Sequence, residues 1–557
     1  MPPKFSRQTD EKVISPPWAE SQPRTSPCEA HCPAGNPIQT VSTLIEANTL
    51  EQALACLRSR NPFPGITGRV CNHPCENRCN RASYDQAVAI QDLERFTADR
   101  ADMTRVVKPR KKAASGKTVA IIGSGPAGLT CAYFSAILGH KVTIFEEGPV
   151  LGGTPRLAIP GYRLPKSVVD REVGLVLELG VQARINTSVG RDVDFQSILD
   201  SFDACVIAVG AWKEKAIRLP FSNMAIPGIT FLRRVNEGWR GPVRGRVVVA
   251  GGGGVAFDCA FTAKQLGAQE VHVVCVENAG NMCASAADVK TARTQGIEVH
   301  NSRIISMVKP EEGRSATVEL TAISSFIFDE KGSLSVDYNA MEKETITADT
   351  LISAIGAISD FNFMEGDSRF RFSPKGTIEV NPESFATPVQ KVFAAGDAVT
   401  GPSTVAGAVG SGRRTAVALD RYLRGLKSAS TEKIKIEASG EIVTEEGPDP
   451  VSPHIVAYEE ILNVEFHEKK ERQVASKDEV ETGFEMDAAS KEARRCFHCG
   501  HCTSCGSCVS DCPLYVLSMT PKGPEVAHFD ECWHCGCCRI SCPSGAVLYE
   551  FPLNMLV

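Results

Sequence analysis

Hydrophobic and polar positions divide the chain into stretches of different period. Between residues 117 and about 426, short β-branched apolar runs (TVAIIG, KVTIFE, ACVIAVG, RVVVAGG, VHVVCV, TLISAIG, VFAAGD) alternate with helical stretches. That alternation predicts strands buried on both faces and joined by crossover helices, the pattern of parallel, doubly wound α/β sheets. Ahead of it stand a proline-rich arm and segments such as VSTLIEANTLEQALACLRSR, whose apolar positions recur at helical spacing. From Ser428 to about Gly483 the chain turns charged, rich in Glu and Lys and weakly periodic, which predicts an extended connector. A cysteine-rich module fills the rest.

Length and composition narrow the class. At 557 residues the chain exceeds what one hydrophobic core holds, so several packed units are expected. No apolar run approaches the roughly 20 residues of a membrane-spanning helix. The opening MPPKFSRQTDEKVISPPW carries no apolar secretory core. A cytoplasmic protein with no membrane partner is expected. A formal net charge of −6 offers no basic surface for nucleic acid, and the local run Lys108 to Lys112 reads as a solvated linker. Cysteine usage decides more. Of 22 cysteines, six precede residue 80, eleven follow residue 495 and five are spread between. In a reducing compartment thiols serve metals or redox chemistry rather than disulfides, so metal sites should flank a core without them. The middle thiols Cys131, Cys205, Cys259, Cys275 and Cys283, with Cys56 and Cys537, read as small buried hydrophobes.

Two glycine loops carry chemistry. Gly123-Ser-Gly125-Pro126-Ala127-Gly128 follows the strand TVAIIG and opens the helical stretch LTCAYFSAILG. Gly123 permits the tight turn, Gly125 lets backbone approach a pyrophosphate, and Gly128 lets helix pack on strand. Glu146, 23 residues after Gly123 at the end of KVTIFE, is placed to accept from ribose hydroxyls. Gly251-Gly252-Gly253-Gly254-Val255-Ala256 repeats the arrangement after RVVVA, so a second dinucleotide is expected. A third piece, VFAAGDAV, puts Gly396 and Asp397 at a strand end before the helical TVAGAVGSGRRTA. No Cys-x-x-Cys stands beside these motifs, which argues against dithiol chemistry of the thioredoxin reductase type.

The tail gives the sharpest signal. Cys502, Cys505, Cys508 and Cys512-Pro, then Cys532, Cys535, Cys538 and Cys542-Pro, follow the spacing of bacterial two-cluster ferredoxins. In that pattern the fourth cysteine of each run serves the other cluster. One [4Fe–4S] cluster is therefore expected on Cys502, Cys505, Cys508 and Cys542, the other on Cys532, Cys535, Cys538 and Cys512. Zinc knuckles, the bland alternative, would need separable ligand sets and no proline after each last cysteine.

Taken together, CEAHCPAGNPI, FPGITGRVCNHPCENRC, GSGPAGL, IPGYRLPKSVVDREV, GGGGVAFDCA and AAGDAVTGPSTVAGAVGSGRR resemble the glutamate synthase small subunit and its relatives. Those relatives include the large subunit of NADH-dependent ferredoxin:NADP oxidoreductase and the amino-terminal part of dihydropyrimidine dehydrogenase. The resemblance spans about residues 28 to 426. It implies FAD at the first loop and at Gly396-Asp397, with Gly153, Arg163 and Thr404 among the cofactor-binding candidates, and a nicotinamide dinucleotide at the second loop. It implies a cluster on Cys32, Cys71 and Cys75 with Glu94 as the non-cysteine ligand; the alternative for Glu94 is an ordinary helix-surface carboxylate. NADPH-using members carry Tyr-Arg-Arg at the end of the strand after the second loop, where this chain has Cys275-Val276-Glu277. A carboxylate there accepts from a free 2′-hydroxyl and repels a phosphate, so NAD(H) is expected over NADPH. Relatives also open the amino-terminal domain with Glu-Ala-x-Arg-Cys-x-x-Cys-Gly, which supplies two ligands to join the positions of Cys28 and Cys79. That run is missing here, but Glu492-Ala-Arg-Arg-Cys496-Phe-His-Cys499-Gly matches it just ahead of the ferredoxin pattern. Cys496 and Cys499 are therefore expected to return to Cys28 and Cys79 around a further cluster. The alternatives are a lost cluster, or a separate small site with His498 or His501.

The expected architecture follows: a helical iron–sulfur domain (1–112), an FAD-binding domain in two pieces (113–215 and 359–426) and an NAD(H)-binding domain (216–358). A connector (427–490) and an α+β two-[4Fe–4S] ferredoxin module (491–557) complete it. The expected function is electron transfer between NAD(H), FAD and about four [4Fe–4S] clusters, to or from ferredoxin or a catalytic oxidoreductase subunit in a hetero-oligomer. No His, Ser or Asp constellation for acid–base or nucleophilic work accompanies the motifs. Two rivals stand: a glutamate synthase small subunit, and a docking or redox-sensing protein whose cofactors are structural.

Overall fold

The computed structural model describes residues 26–83, 85–215, 224–241, 243, 245–311, 315–329, 334–426, 432–436, 442–446, 483–499, 506–520, 523–528, 531–533, 535–542 and 547. The proline-rich arm lies outside them, as do Cys502 and Cys505.

Two parallel five-stranded sheets form the centre. The first runs Val392–Ala394, Ala204–Ile207, Thr118–Ile122, Lys141–Phe145, Gln182–Arg184. Every pairing is parallel, and its three central strands are buried along nearly their whole length, as apolar runs covered by helices on both faces must be. The helix Pro126–Ile137 crosses over after the first strand and lies against the long helix Val405–Leu423. Their apolar faces close one core around Ile121, Phe134, Ile144, Val206 and Val409. The second sheet, also parallel, runs Ile226–Pro227, Thr350–Ser353, Arg246–Ala250, Glu270–Val274, Glu298–His300.

The expected NAD(H)-binding stretch holds more than short parallel strands. Arg303–Pro310, Ala316–Phe328 and Leu334–Ala348 form an antiparallel three-stranded sheet, inserted between the last two parallel strands of that domain in sequence. Its face with Val318, Leu320 and Ala348 packs on Val248, Val274 and Leu351 of the parallel sheet. Only one face is apolar, so these strands read from sequence as weakly patterned chain.

The amino-terminal unit is helical, as expected, with helices Ile38–Glu46, Leu50–Arg58, Pro64–Val70 and Ile90–Arg100. Its core includes residues from far along the chain: Phe484, Ala489 and Ala493 are buried with Ile45, Leu57, Leu93 and Phe96. The expected boundaries at 490 and 491 therefore need correction. Residues 483–499, with the helix Met486–Arg494, pack on the amino-terminal helices rather than opening the tail. The connector is not uniformly extended either, since Glu432–Ile436 and Ile442–Glu446 pair as antiparallel strands. In the tail the described residues include the hairpin Leu517–Thr520 with Gly523–Val526 and two single-turn helices, Ser507–Ser510 and Cys537–Ile540. No helix among the described residues is long and apolar enough to cross a membrane.

Candidate functional site

The first glycine loop has the geometry of a phosphate cradle. Gly123 sits at φ +101, and a Cβ there or at Gly128 would overlap the carbonyl oxygens of Ala208 and Gly123 respectively. Beside Gly125 a Cβ would meet nothing within 4 Å, so the loop is tight against protein on two sides and open where a pyrophosphate would approach the helix start. Glu146 folds back over the loop and accepts from Ser124 N–H at 2.9 Å and from Gly148 N–H at 2.7 Å. Pro126 and Ala127 form the first turn of the helix. Gly153 presses on Gly125, and Gly396 lies against Ala127, where an added Cβ would come within 2.7 Å of the alanine methyl. Asp397 accepts from Ser403 N–H and O–H, while burial lifts its carboxyl above the usual range. Thr404 caps the helix Val405–Leu423 by accepting from Gly407 N–H at 3.0 Å. The fit to FAD rests on this cradle.

The second loop repeats the plan. Gly251 sits at φ +134 against Ala354, and both Gly253 and Gly254 face open space. Val255 and Ala256 begin the helix Gly254–Gln265. Glu277 stands over the loop, its Oε2 2.5 Å from where a Cβ on Gly252 would be. Cys283, expected buried, is exposed beside Glu277, because it sits on the loop that follows the strand rather than in the strand itself. Cys131, Cys205, Cys259 and Cys275 are buried. Arg163 binds neither loop in this structure. Its guanidinium pairs with Asp258 and, at 2.8 Å, with Asp288, both from the second nucleotide domain, and Tyr162 O–H donates to Asp258. The IPGYRLP segment thus joins the two domains, a role that sequence reading missed because both acids come from motifs with no spacing relation to it.

Two thiol pockets lie beyond the flavin loop. One is lined by Cys32, Cys71, Cys75 and Glu94 together with Ala406 from the first turn of Val405–Leu423. Glu94 is 6% exposed, so it is no ordinary helix-surface carboxylate. Burial pushes its carboxyl up to about 8 although Thr67 and Asn61 donate to it. Burial, then the charge of Glu94, pushes Cys71 up to about 12.

The other pocket brings together Cys28, Cys79, Cys496 and Cys499, two thiols from each end of the chain. Burial and the neighbouring thiols push Cys28, Cys496 and Cys499 up to about 12. Buried thiols that repel one another's charge lose their protons when a cation arrives, which is the chemistry of a cluster-binding set. Polar groups already point at the sulfurs: Asn36 N–H at Cys32, His73 N–H at Cys71, and Asn80 Nδ2–H at Cys499, 3.3 to 3.4 Å away. Ile38 and Ile90 line both pockets, so the two share a wall.

A salt-bridge network holds the returning segment. Arg495 and Glu492 are fully buried and paired at 2.5 Å; Arg495 also reaches Asp85 at 2.9 Å, and Glu492 accepts from Ala89 N–H at 2.8 Å. Arg81 pairs with Asp85 and lies over the Phe497 ring. In the tail, Cys508, Cys512, Cys532, Cys538 and Cys542 share one small core. Burial first, then Cys532, Cys535 and Cys512, push Cys538 up to about 11, so the fourth cysteine of the first run lies with three of the second. Cys502 and Cys505, expected to complete the other set, are outside the described residues.

Comparison with known proteins gives the arrangement its place. The profile described as "Pyridine nucleotide-disulphide oxidoreductase" matches residues 117–412, "Dihydropyrimidine dehydrogenase domain II, 4Fe-4S cluster" matches 21–106, and "4Fe-4S dicluster domain" matches 501–546. The beta subunit of an NADP(+)-dependent formate dehydrogenase from Moorella thermoacetica is 34% identical over 510 residues, covering 85% of this chain and 70% of that one. The beta subunit of an NADPH-Fe(3+) oxidoreductase from Geobacter sulfurreducens is 29% identical, covering 85% of this chain and 75% of its own length. The glutamate synthase [NADPH] small chain of Azospirillum brasilense is 30% identical over 448 residues, covering 76% of this chain and 92% of its own length. The chain therefore belongs to the pyridine nucleotide-disulphide oxidoreductase family, as an iron–sulfur flavoprotein, NAD(P)-dependent oxidoreductase of the glutamate synthase small subunit type with a carboxy-terminal ferredoxin module.

Proposed function

We propose that this chain is the electron-transfer subunit of a hetero-oligomeric oxidoreductase, carrying electrons between NAD(H) and a ferredoxin or catalytic partner subunit. Bound FAD supplies the exchange of an electron pair, taken or given as hydride, for the single electrons that clusters carry. The residues of this chain bind and space the groups. The Gly123–Gly128 loop, Glu146, Gly153, Gly396, Asp397 and Thr404 would hold FAD, and Gly251–Ala256 with Glu277 the nicotinamide dinucleotide. Cys32, Cys71, Cys75 and Glu94 would hold one cluster, and Cys28, Cys79, Cys496 and Cys499 a second. The tail cysteines would hold two more, in the crossed sets given above.

One observation carries the reading. The flavin-side helix Val405–Leu423 forms part of the wall of the first thiol pocket, and that pocket shares Ile38 and Ile90 with the second. The sites are thus strung in contact, from the flavin loop to the segment that leads into the tail. The dinucleotide is the finer point. The relatives' names read NADP(+) or NADPH, whereas Glu277 over the second loop favours a free 2′-hydroxyl, and on that ground NAD(H) is the preferred coenzyme. The partner belongs to the ferredoxin-linked enzymes, such as a formate or 2-oxoacid oxidoreductase. A glutamate synthase small subunit would have no use for the fused tail.

The test is an anaerobic titration of the purified, cluster-loaded protein with NADH. Flavin bleaching together with the electron paramagnetic resonance signals of reduced clusters is expected. Flavin and clusters that stay oxidised with NADH and NADPH alike would leave the proposal without support and favour a structural role for the cofactors.

A further inference from the structure

The far edge of the second sheet carries a cluster that the electron path does not use. His272 on Glu270–Val274 pairs in register with Glu298 on the edge strand Glu298–His300, and Val274 pairs with His300. Because side chains alternate along a strand, that register puts His272, Glu298 and His300 on one face of the sheet. His272 is buried and His300 mostly so, their side chains 9% and 12% exposed. His272 Nδ1 and His300 Nε2 stand 3.1 Å apart, and Glu298 Oε2 lies 3.5 Å from the first and 3.8 Å from the second.

The outer nitrogens face carboxylates. His300 Nδ1 is 2.9 Å from Glu344 Oε1, on the inserted antiparallel sheet, and His272 Nε2 is 3.9 Å from Glu270 Oε2. A ring N–H directed at a carboxylate leaves the opposite nitrogen as a lone pair. For His300 this leaves Nε2, which faces His272 Nδ1 and Glu298, as the lone pair; His272 Nε2, 3.9 Å from Glu270, is beyond hydrogen-bond reach, so the tautomer of His272 is set by what its Nδ1 binds. Metal-bound histidines have an outer carboxylate like that of His300, which fixes the tautomer and strengthens the donor.

The spacing suits a small cation. Three donors each about 2.1 Å from a tetrahedrally coordinated zinc ion stand about 3.4 Å apart, against the 3.1, 3.5 and 3.8 Å found here. A single N–H···N bond between the rings would account for the first distance but would leave Glu298 turned toward two nitrogens with one proton between them.

We propose that His272, His300 and Glu298 bind a divalent cation of the zinc class, with a water in the fourth position and Glu344 as the outer carboxylate of His300. The cation fastens three strands: two neighbours of the parallel sheet and, through Glu344, the strand Leu334–Ala348. It sits close behind the dinucleotide loop, because the His300 carbonyl accepts from Cys275 N–H at 3.1 Å and Cys275 precedes Glu277 by two residues. Its role is to hold that edge of the domain, and it takes no part in electron transfer.

The experiment is equilibrium dialysis of the anaerobic, cluster-loaded protein against zinc, with elemental analysis of zinc and iron. Exposed thiols outside the cluster sets, such as Cys283, contribute equally to wild type and variants, so the difference reports this site. Wild type is expected to hold one more zinc per chain than a His272→Asn, His300→Asn variant of equal iron content. Zinc should raise the thermal unfolding temperature of wild type alone. Glu344→Gln should weaken zinc binding about 10- to 100-fold without lowering its capacity. Should the double variant fail to fold, Glu298→Gln, altered at a largely exposed side chain, serves in its place. Equal zinc per chain and equal affinity in wild type and the folded variants would overturn the proposal and leave an ordinary imidazole–imidazole hydrogen bond.

Discussion

At single positions the two nucleotide loops are held by contacts that tolerate little change. A methyl group on Gly128 would have to share space with the carbonyl of Gly123, so Gly128→Ala should force the helix away from the strand. FAD retained per purified chain, measured after release by denaturation, should fall by at least tenfold; full retention would mean that the helix start relaxes at no cost to the cradle. Glu277 sets a different quantity. Glu277→Ser should raise the ratio of kcat/KM for NADPH over NADH by about tenfold, equivalent to about 1.4 kcal/mol of discrimination, and an unchanged ratio would remove Glu277 from coenzyme selection. These positions were legible because glycine and a strand-end acid have strong spacing rules. Arg163 was not, since the acids that bind it, Asp258 and Asp288, stand 95 and 125 residues away.

Among the elements, the helix Met486–Arg494 and the turn after it show how a buried piece can look solvated. Its sequence is rich in charge, and two of those charges, Glu492 and Arg495, are fully buried. Polarity alone marks such a stretch as connector; what pointed to a return was the match of Glu492-Ala-Arg-Arg-Cys496-Phe-His-Cys499-Gly to the run missing ahead of Cys28, together with the surplus of Cys496 and Cys499 over the eight ferredoxin positions. Breaking one partner of a buried ion pair costs about 3–5 kcal/mol, so Glu492→Gln should loosen the docked segment and speed proteolysis between residues 483 and 499. Cleavage at the wild-type rate would show that the pair contributes nothing to docking. The thiols have a separate readout. A Cys496→Ala, Cys499→Ala variant should carry about 12 irons where the intact chain carries about 16, at four per cluster; a full complement would take both residues out of the ligand set. The inserted sheet from Arg303 to Ala348 escaped sequence reading for the opposite reason: its one apolar face gives alternation too diluted by Thr, Glu and Ser to stand out.

Across the whole molecule, the two parallel sheets and the ferredoxin spacing could be read directly, while the packing of the units against one another could not, because it depends on pairs hundreds of residues apart. That packing fixes where the molecule can be cut. Removing residues 501–557 leaves Glu492, Arg495, Cys496 and Cys499 in place, so flavin reduction by NADH should persist at near its full rate. Transfer to ferredoxin should disappear, and iron should drop to about 8 per chain with two clusters of four remaining. Undiminished ferredoxin reduction by the shortened chain would show that electrons leave by another route.

The pocket of Cys28, Cys79, Cys496 and Cys499 also bears on how the protein is made. Asn80 and Cys499, which touch in it, are 419 residues apart, and ribosomes add about 5–20 residues per second. The first two thiols therefore wait roughly 20 to 80 s, at those elongation rates, outside the ribosome before their partners exist. During that interval the amino-terminal helices lack Phe484, Ala489 and Ala493 from their core, so the nascent domain presents an unfilled apolar groove to chaperones. On the proposed ligand sets, a cluster in this pocket would form only after translation has passed residue 499, whereas Cys32, Cys71, Cys75 and Glu94 are all synthesised within the first hundred residues.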